Sequence, residues 1–189
     1  MTPKRLFIFS APSGAGKTTI ARHLLEQFPQ MKFSISATTR PRREKETHAK
    51  DYYFLSKEEF QTALRANELA EYEEIFGNCY GTLKSEINAA LNEGKLLVFD
   101  IDVKGALSLQ RAYPEDSLLI FVAPPSMEIL QQRLTERNTE SAEQLRLRLA
   151  RAEMELQEQG KFDEIIVNDT LEHSFQAARE LVYKYAGLQ

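Results

Sequence analysis

The sequence is poor in sulfur and has no tryptophan: one cysteine, Cys79, stands among 189 residues. A lone thiol excludes an intrachain disulfide and fits a reducing compartment. No apolar run approaches the roughly 18 residues that a membrane-spanning helix needs. The run Leu6-Phe7-Ile8-Phe9 is too short for a secretory signal, and a glycine-rich segment follows it directly. Positive charge is not in excess. Lys and Arg number 24 against 28 Asp and Glu, a formal net charge of −4, so bulk binding to nucleic acid is not expected. The histidines His23, His48 and His173 share no metal-ligand spacing, and the chain has no repeat or low-complexity linker. These absences exclude secreted, fibrous and membrane classes and lead to the expectation of a cytoplasmic protein.

What is present is an apolar content of 42%, enough for a chain of this length to bury about 70% of its unfolded surface. Short apolar runs at Leu6–Phe9, Leu96–Phe99 and Leu118–Val122 read as buried strands, and Phe33–Ala37 and Ile165–Val167 read as further strands. Helical spacing is predicted over Thr18–Phe28, Leu83–Glu93, Lys104–Tyr113, from Ser126 through Arg137, and over Leu171–Tyr185. Capping boxes at Ser56-Lys57-Glu58-Glu59 and Ser141-Ala142-Glu143-Gln144 start two more helices. Strands alternating with helices imply βαβ units and a mainly parallel sheet. Residues 36–90 break that rhythm. Strands at Tyr52–Leu55 and Leu69–Phe76, with a turn at Gly77-Asn78, mark an inserted lobe.

Charge is unevenly spread. Residues 40–50 carry five bases against two acids, and residues 131–151 carry five arginines against three glutamates. Two basic islands in an acidic protein suggest anion sites. The segment between them is acidic, with eight acids and three bases over 52–93.

The strongest motif is Ala11-Pro12-Ser13-Gly14-Ala15-Gly16-Lys17-Thr18. It lies between a predicted strand and a predicted helix, the setting of a phosphate-binding loop. Glycines let consecutive backbone N–H groups turn toward phosphate oxygens, and the helix N-terminus adds positive potential. Lys17 can reach the β- and γ-phosphates, and the Thr18 hydroxyl can bind Mg²⁺. Asp100 ends an apolar strand, where an acid either holds Mg²⁺, directly or through water, or caps the next segment. A nucleoside triphosphate site follows, without a second substrate.

The second substrate must be sought in the lobe. The hydroxyl-rich run Ser34–Thr39 with Arg40, followed by Arg42 and Arg43 and joined by Tyr52 and Tyr80, supplies donors suited to a phosphate monoester. Glu71 and Asp102 suit a different task. Guanine offers N1–H and N2–H₂ to a carboxylate, whereas adenine would leave that carboxylate unpaired. A guanine nucleoside monophosphate fits both halves. Arg133, Arg146 and Arg151 read as surface solubilisers, and Cys79 has no local partner that would make it a nucleophile.

At this point the sequence resembles the guanylate kinase family over roughly residues 4–186. The resemblance is carried by the glycine-rich loop at 11–18, Thr-Thr-Arg at 38–40, Lys-Asp-Tyr at 50–52 and Phe-Gly-Asn-Cys-Tyr-Gly-Thr at 76–82. It continues with Phe-Asp-Ile-Asp at 99–102, Ala-Pro-Pro-Ser at 123–126, Glu-Arg-Asn-Thr-Glu at 136–140 and Val-Asn-Asp at 167–169. The resemblance implies ATP-dependent phosphoryl transfer to GMP, with Mg²⁺ as cofactor. A monomer or homodimer is expected, and charge and hydropathy lead to the expectation of no nucleic-acid or membrane partner. It implies an α/β P-loop NTPase fold: a parallel five-stranded sheet flanked by helices, an inserted mixed α/β GMP-binding lobe and a helical lid. The ATP-binding core would then comprise 1–35, 91–125 and 158–189, the lobe 36–90 and the lid 126–157.

By the same resemblance, Ser36, Arg40, Arg43, Tyr52 and Tyr80 hold the GMP phosphate, and Glu71, Thr82 and Asp102 read guanine. Lys17, Arg43, Arg137 and Arg148 act on the transferring phosphoryl group. The chain departs from the family pattern at Pro41, Lys45, Ala49, Cys79 and Thr82, while Ala11 stands where the general phosphate-loop pattern has a glycine. The shifted proline leaves either Arg42 or Arg43 as the second phosphate arginine, with Arg43 favoured by count. The alternatives are a non-catalytic guanylate-kinase-like binding module and a P-loop kinase for another small phosphorylated acceptor.

Overall fold

The computed structural model describes residues 2–75, 77–136 and 142–188. In chain order its elements are β1 (Leu6–Ser10), α1 (Lys17–Gln27), β2 (Met31–Phe33), β3 (Ala37–Thr38), β4 (Tyr53–Phe54), α2 (Lys57–Arg65), β5 (Leu69–Ile75) and β6 (Asn78–Leu83). There follow α3 (Lys84–Asn92), β7 (Leu96–Asp100), α4 (Val103–Ala112), β8 (Ser117–Ala123), α5 (Met127–Glu136), α6 (Ala142–Gln157), β9 (Glu164–Val167) and α7 (Leu171–Ala186).

The main sheet is parallel, in the order β2-β7-β1-β8-β9. Its central strands read as unbroken apolar runs because both faces are covered. Along β1, Phe7 and Phe9 pack with Ile20, Leu24 and Val182 from α1 and α7. Leu6 and Ile8 point the other way, to Ile87 of α3 and Leu109 of α4. The second sheet has the order β4-β3-β6-β5 and is mixed: β3 and β4 run parallel, while β6 runs antiparallel to both β3 and β5. Phe60 of α2 fills its underside with Ala37 and Leu69. The box at Ser56 forms: its hydroxyl accepts from the Glu59 amide, and the Glu59 carboxylate accepts from the Ser56 amide.

Two predicted elements differ. Phe33–Ala37 is not one strand. The chain leaves the main sheet after Phe33, the Ser34 amide donates to the Val98 carbonyl at 2.9 Å, and Ala37–Thr38 joins the other sheet. An alternating run of serines and apolar residues carries no sign of which sheet it serves. Asn78–Leu83 is a full strand, paired along β5 from Ile75↔Asn78 to Leu69↔Leu83, where only a turn was expected. Its cross-strand partners define it, not an apolar alternation. The predicted helix end at Arg137, the Ser141 cap and Phe76 lie outside the described residues.

Candidate active site

The carboxyl ends of β1 and β7 open onto the glycine-rich loop, the position at which open α/β sheets bind ligands. Gly14 and Gly16 have φ of 93° and 97°, which side chains avoid. At Gly16 space is a second reason, since a Cβ there would lie 2.2 Å from Nδ2 of Asn168. That amide donates to the Ala15 carbonyl at 2.7 Å, while Oδ1 of Asn168 accepts from the Ser174 hydroxyl. Asn168 is buried and clamps the loop from β9. Sequence reading gave it no role beyond its place in a motif. Ala15 is fully buried and its amide donates to Pro12, so it braces the loop from within. The other loop residues, Ala11, Pro12, Ser13, Gly14, Gly16, Lys17 and Thr18, line a cavity of about 400 Å³.

Asp100 organises the floor of that cavity. Its Oδ1 lies 2.7 Å from Nζ of Lys17, and its Oδ2 accepts from the Thr18 hydroxyl at 2.5 Å. Lys17 also donates to the Ile101 carbonyl at 2.8 Å. A hydroxyl and a carboxylate side by side are hard oxygen donors, so this pair fits Mg²⁺, with the remaining positions left to water and phosphate. Asp100 is therefore more than a strand-end cap.

A second cavity of about 240 Å³ shares Lys17, Asp100 and Asp102 with the first and extends along β5 and β6 past Ser36, Tyr52, Tyr80 and Glu71. Glu71 is only 7% exposed, and its Oε1 accepts from the Thr82 hydroxyl at 2.6 Å. Burial raises its pKa to about 7, the nearby Asp102 adds to this, and the Thr82 bond opposes it. Asp102 caps α4, its Oδ1 accepting from the Gly105 amide at 2.8 Å. Both acids converge above Gly105, where a Cβ would meet Glu71 Oε2 at 2.8 Å and Asp102 Oδ1 at 3.0 Å. Burial also raises the Tyr52 hydroxyl.

The basic loop at 40–50 folds on Glu46. Arg40 pairs with Glu46 Oε1 at 2.7 Å and lies over the Tyr52 ring, 5.4 Å from its centroid. The Arg43 amide donates to Glu46 Oε2, and Nη1 of Arg42 donates to the Glu46 carbonyl. The Arg40 guanidinium holds the Glu46 carboxyl below its usual range. The Arg43 side chain is exposed and does not line the cavity in this state. Ala49 takes φ of 60°, a glycine-type conformation.

The α6 helix walls the phosphate-loop cavity with Leu147, Arg148, Arg151 and Glu155. Nη1 of Arg148 donates to the Ser13 hydroxyl at 3.1 Å. Arg151, one turn on, lies 3.3 Å from Asp102 Oδ2 and 2.8 Å from Glu155 Oε1. Arg151 lines the phosphate-loop cavity, which corrects the solubiliser reading. That reading also fails for Arg133, which donates to the Asn168 carbonyl at 2.9 Å. The spacing of three between Arg148 and Arg151 places both on one helix face, a signal that charge counting overlooked. Arg146 is exposed, as a solubiliser would be. Arg137 lies outside the described residues.

A strand, a glycine loop carrying Lys17 and Thr18, and an adjoining cavity floored by acids define a P-loop protein with two adjoining cavities. Comparison with known proteins narrows the class. The family model described as guanylate kinase matches residues 3–185. A guanylate kinase of Chlorobium luteolum is 52% identical over 173 residues, covering 92% of this chain and 88% of that one. One from Chlorobaculum tepidum is 48% identical over 181 residues, covering 96% and 93%. The crystal structure of guanylate kinase from Anaplasma phagocytophilum superposes with a TM-score of 0.76 at 30% identity, covering 98% of this chain and 88% of that chain. The chain belongs to the guanylate kinase family.

Proposed function

We propose that the protein transfers the γ-phosphoryl group of ATP to GMP, giving ADP and GDP, as a cytoplasmic enzyme. The observation that carries this reading is the sharing of Lys17, Asp100 and Asp102 by the two cavities. Two nucleotides seated there meet end to end, with their phosphates on Lys17. In-line placement and charge stabilisation are what phosphoryl transfer needs most.

In this reading the loop from Ala11 to Thr18 cradles the ATP phosphates. Thr18 and Asp100 hold Mg²⁺, which when bound neutralises phosphate charge. Ser36, Arg40, Arg43, Tyr52 and Tyr80 take the acceptor phosphate. Arg43 is preferred to Arg42, whose fork is already turned back on the Glu46 carbonyl. The ionised carboxylate of Glu71 accepts from the guanine edge beside Thr82 and Asp102, a pairing adenine lacks. Arg148, with Arg137, delivers positive charge from the lid at 126–157, and closure over the lobe at 36–90 excludes water from ATP.

The test is ADP release coupled to a reporter reaction, with ATP, Mg²⁺ and GMP, AMP, UMP or CMP. Turnover with GMP alone is expected. Turnover with another acceptor would refute the carboxylate account, and tight GMP binding without turnover would mean a binding module.

A further inference from the structure

One acid in the acceptor cavity has no part in the reading above. Glu73 follows Glu71 by two residues on β5, and successive side chains on a strand alternate between faces. The burial pattern of β5 follows suit: Glu71, Glu73 and Ile75 turn inward, while Tyr72 is 54% exposed. Glu73 therefore stands on the same wall as Glu71, about 7 Å further along the strand.

The ladder register says what lies at that level. Glu71 is opposite Thr82, the guanine end of the cavity, and Glu73 is opposite Tyr80, at the phosphate end. In any nucleoside monophosphate the ribose lies between base and phosphate. Glu73 is thus at the height of the sugar.

Its chemistry narrows the contact. Oε2 of Glu73 is buried and has no hydrogen-bond partner among the described residues. Its Oε1 lies 3.8 Å from Nζ of Lys104, whose side chain is 84% exposed, a weak and screened pair. A buried carboxylate oxygen left unpaired is costly, so the site favours a ligand that brings a donor. The phosphate brings only negative charge. The guanine donors are already matched to Glu71 and Asp102. The remaining donors on the nucleotide are the 2′- and 3′-hydroxyls, and carboxylates bind ribose hydroxyls in dinucleotide sites by the same chemistry.

We propose that Glu73 accepts the ribose hydroxyls of the acceptor and makes the site prefer a ribonucleotide to its 2′-deoxy counterpart. The proposal rests on reading this cavity as the GMP site.

The experiment compares kcat/KM for GMP and dGMP in the wild-type protein, Glu73→Ala and Glu73→Gln, with unfolding midpoints measured for all three. A hydrogen bond to a charged acceptor supports a wild-type preference for GMP of about 10- to 100-fold. The ratio should fall to near one in Glu73→Ala. In Glu73→Gln, which keeps a neutral acceptor, it should settle at about two- to tenfold. Should Glu73→Ala fail to fold, the Gln variant alone decides. A wild-type ratio of one, or a ratio unchanged in either folded variant, overturns the assignment of Glu73 and leaves the kinase reading standing. Absence of turnover with both nucleotides in the wild-type protein overturns the kinase reading, and the proposal with it.

Discussion

Raising the pH from 6 to 8 should tighten GMP binding, because Glu71 must be ionised to accept two N–H groups. With a pKa of about 7, the carboxyl is about one-eleventh ionised at pH 6 and about ten-elevenths at pH 8, so affinity rises about tenfold. Asp102 lies near Glu71 and favours its protonated form, while Arg151 offsets the Asp102 charge. The GMP phosphate, with its own ionisation near pH 6, adds about twofold in the same direction. Titration calorimetry of the wild-type protein and Glu71→Gln separates the two contributions. The variant should keep only the phosphate's share and bind at least about 100-fold more weakly, because its amide turns a donor toward a donor.

Stability runs the opposite way. Between pH 4.5 and about 7 the folded protein holds a proton that the unfolded chain has released, so Glu71 makes stability fall as pH rises through that window. The loss amounts to about 3 kcal/mol at most. Glu71→Gln should therefore melt higher at pH 8, by up to roughly 5–10 °C, and near the wild-type temperature at pH 5. A wild-type binding profile no steeper than the variant's, or equal melting shifts at both pH values, would refute the argument.

Arg151→Ala, measured by steady-state kinetics, should raise KM for GMP about two- to fivefold through loss of a partly exposed pair, and less so in high salt. Gly105→Ala pushes a methyl group against both Glu71 and Asp102; urea unfolding should show a cost of about 1–3 kcal/mol, and kcat/KM for GMP should drop more steeply than that for ATP. Ala49→Gly relieves a left-handed alanine costing about 1–2 kcal/mol, less about 0.5–1 for glycine's freer unfolded chain. A small rise in melting temperature is expected.

The parallel sheet was legible because its central strands are apolar on both faces, which leaves unbroken runs such as Leu6–Phe9 and Leu118–Val122. The phosphate loop was legible because its residue types serve local geometry. The split at Ser34–Ser36 was not, because the choice of sheet rests on a distant acceptor, the carbonyl of Val98. Arg151 and Asn168 were missed for the same reason. Each acts on a partner far along the chain, Asp102 or Ala15, and only Arg151 carries a local sign, its helix-face spacing from Arg148. Glu73 was counted only as one more acid in an acidic stretch, until the β5–β6 register gave it a place.

The centre of the main sheet has a consequence for synthesis. Leu6 of β1 pairs with Leu97 on one side and Ser117 on the other. At translation rates of about 5–20 residues per second, the first strand waits on the order of 5–20 s for both neighbours. The second sheet, by contrast, draws its strands from Ala37 to Leu83 and is ready earlier. The nascent chain thus carries Leu6-Phe7-Ile8-Phe9 unpaired while its inserted lobe can already close. The finished protein buries this segment completely. Its hazard of self-association belongs to the ribosome-bound and refolding chain, where low temperature, slow concentration or a holding chaperone would matter most.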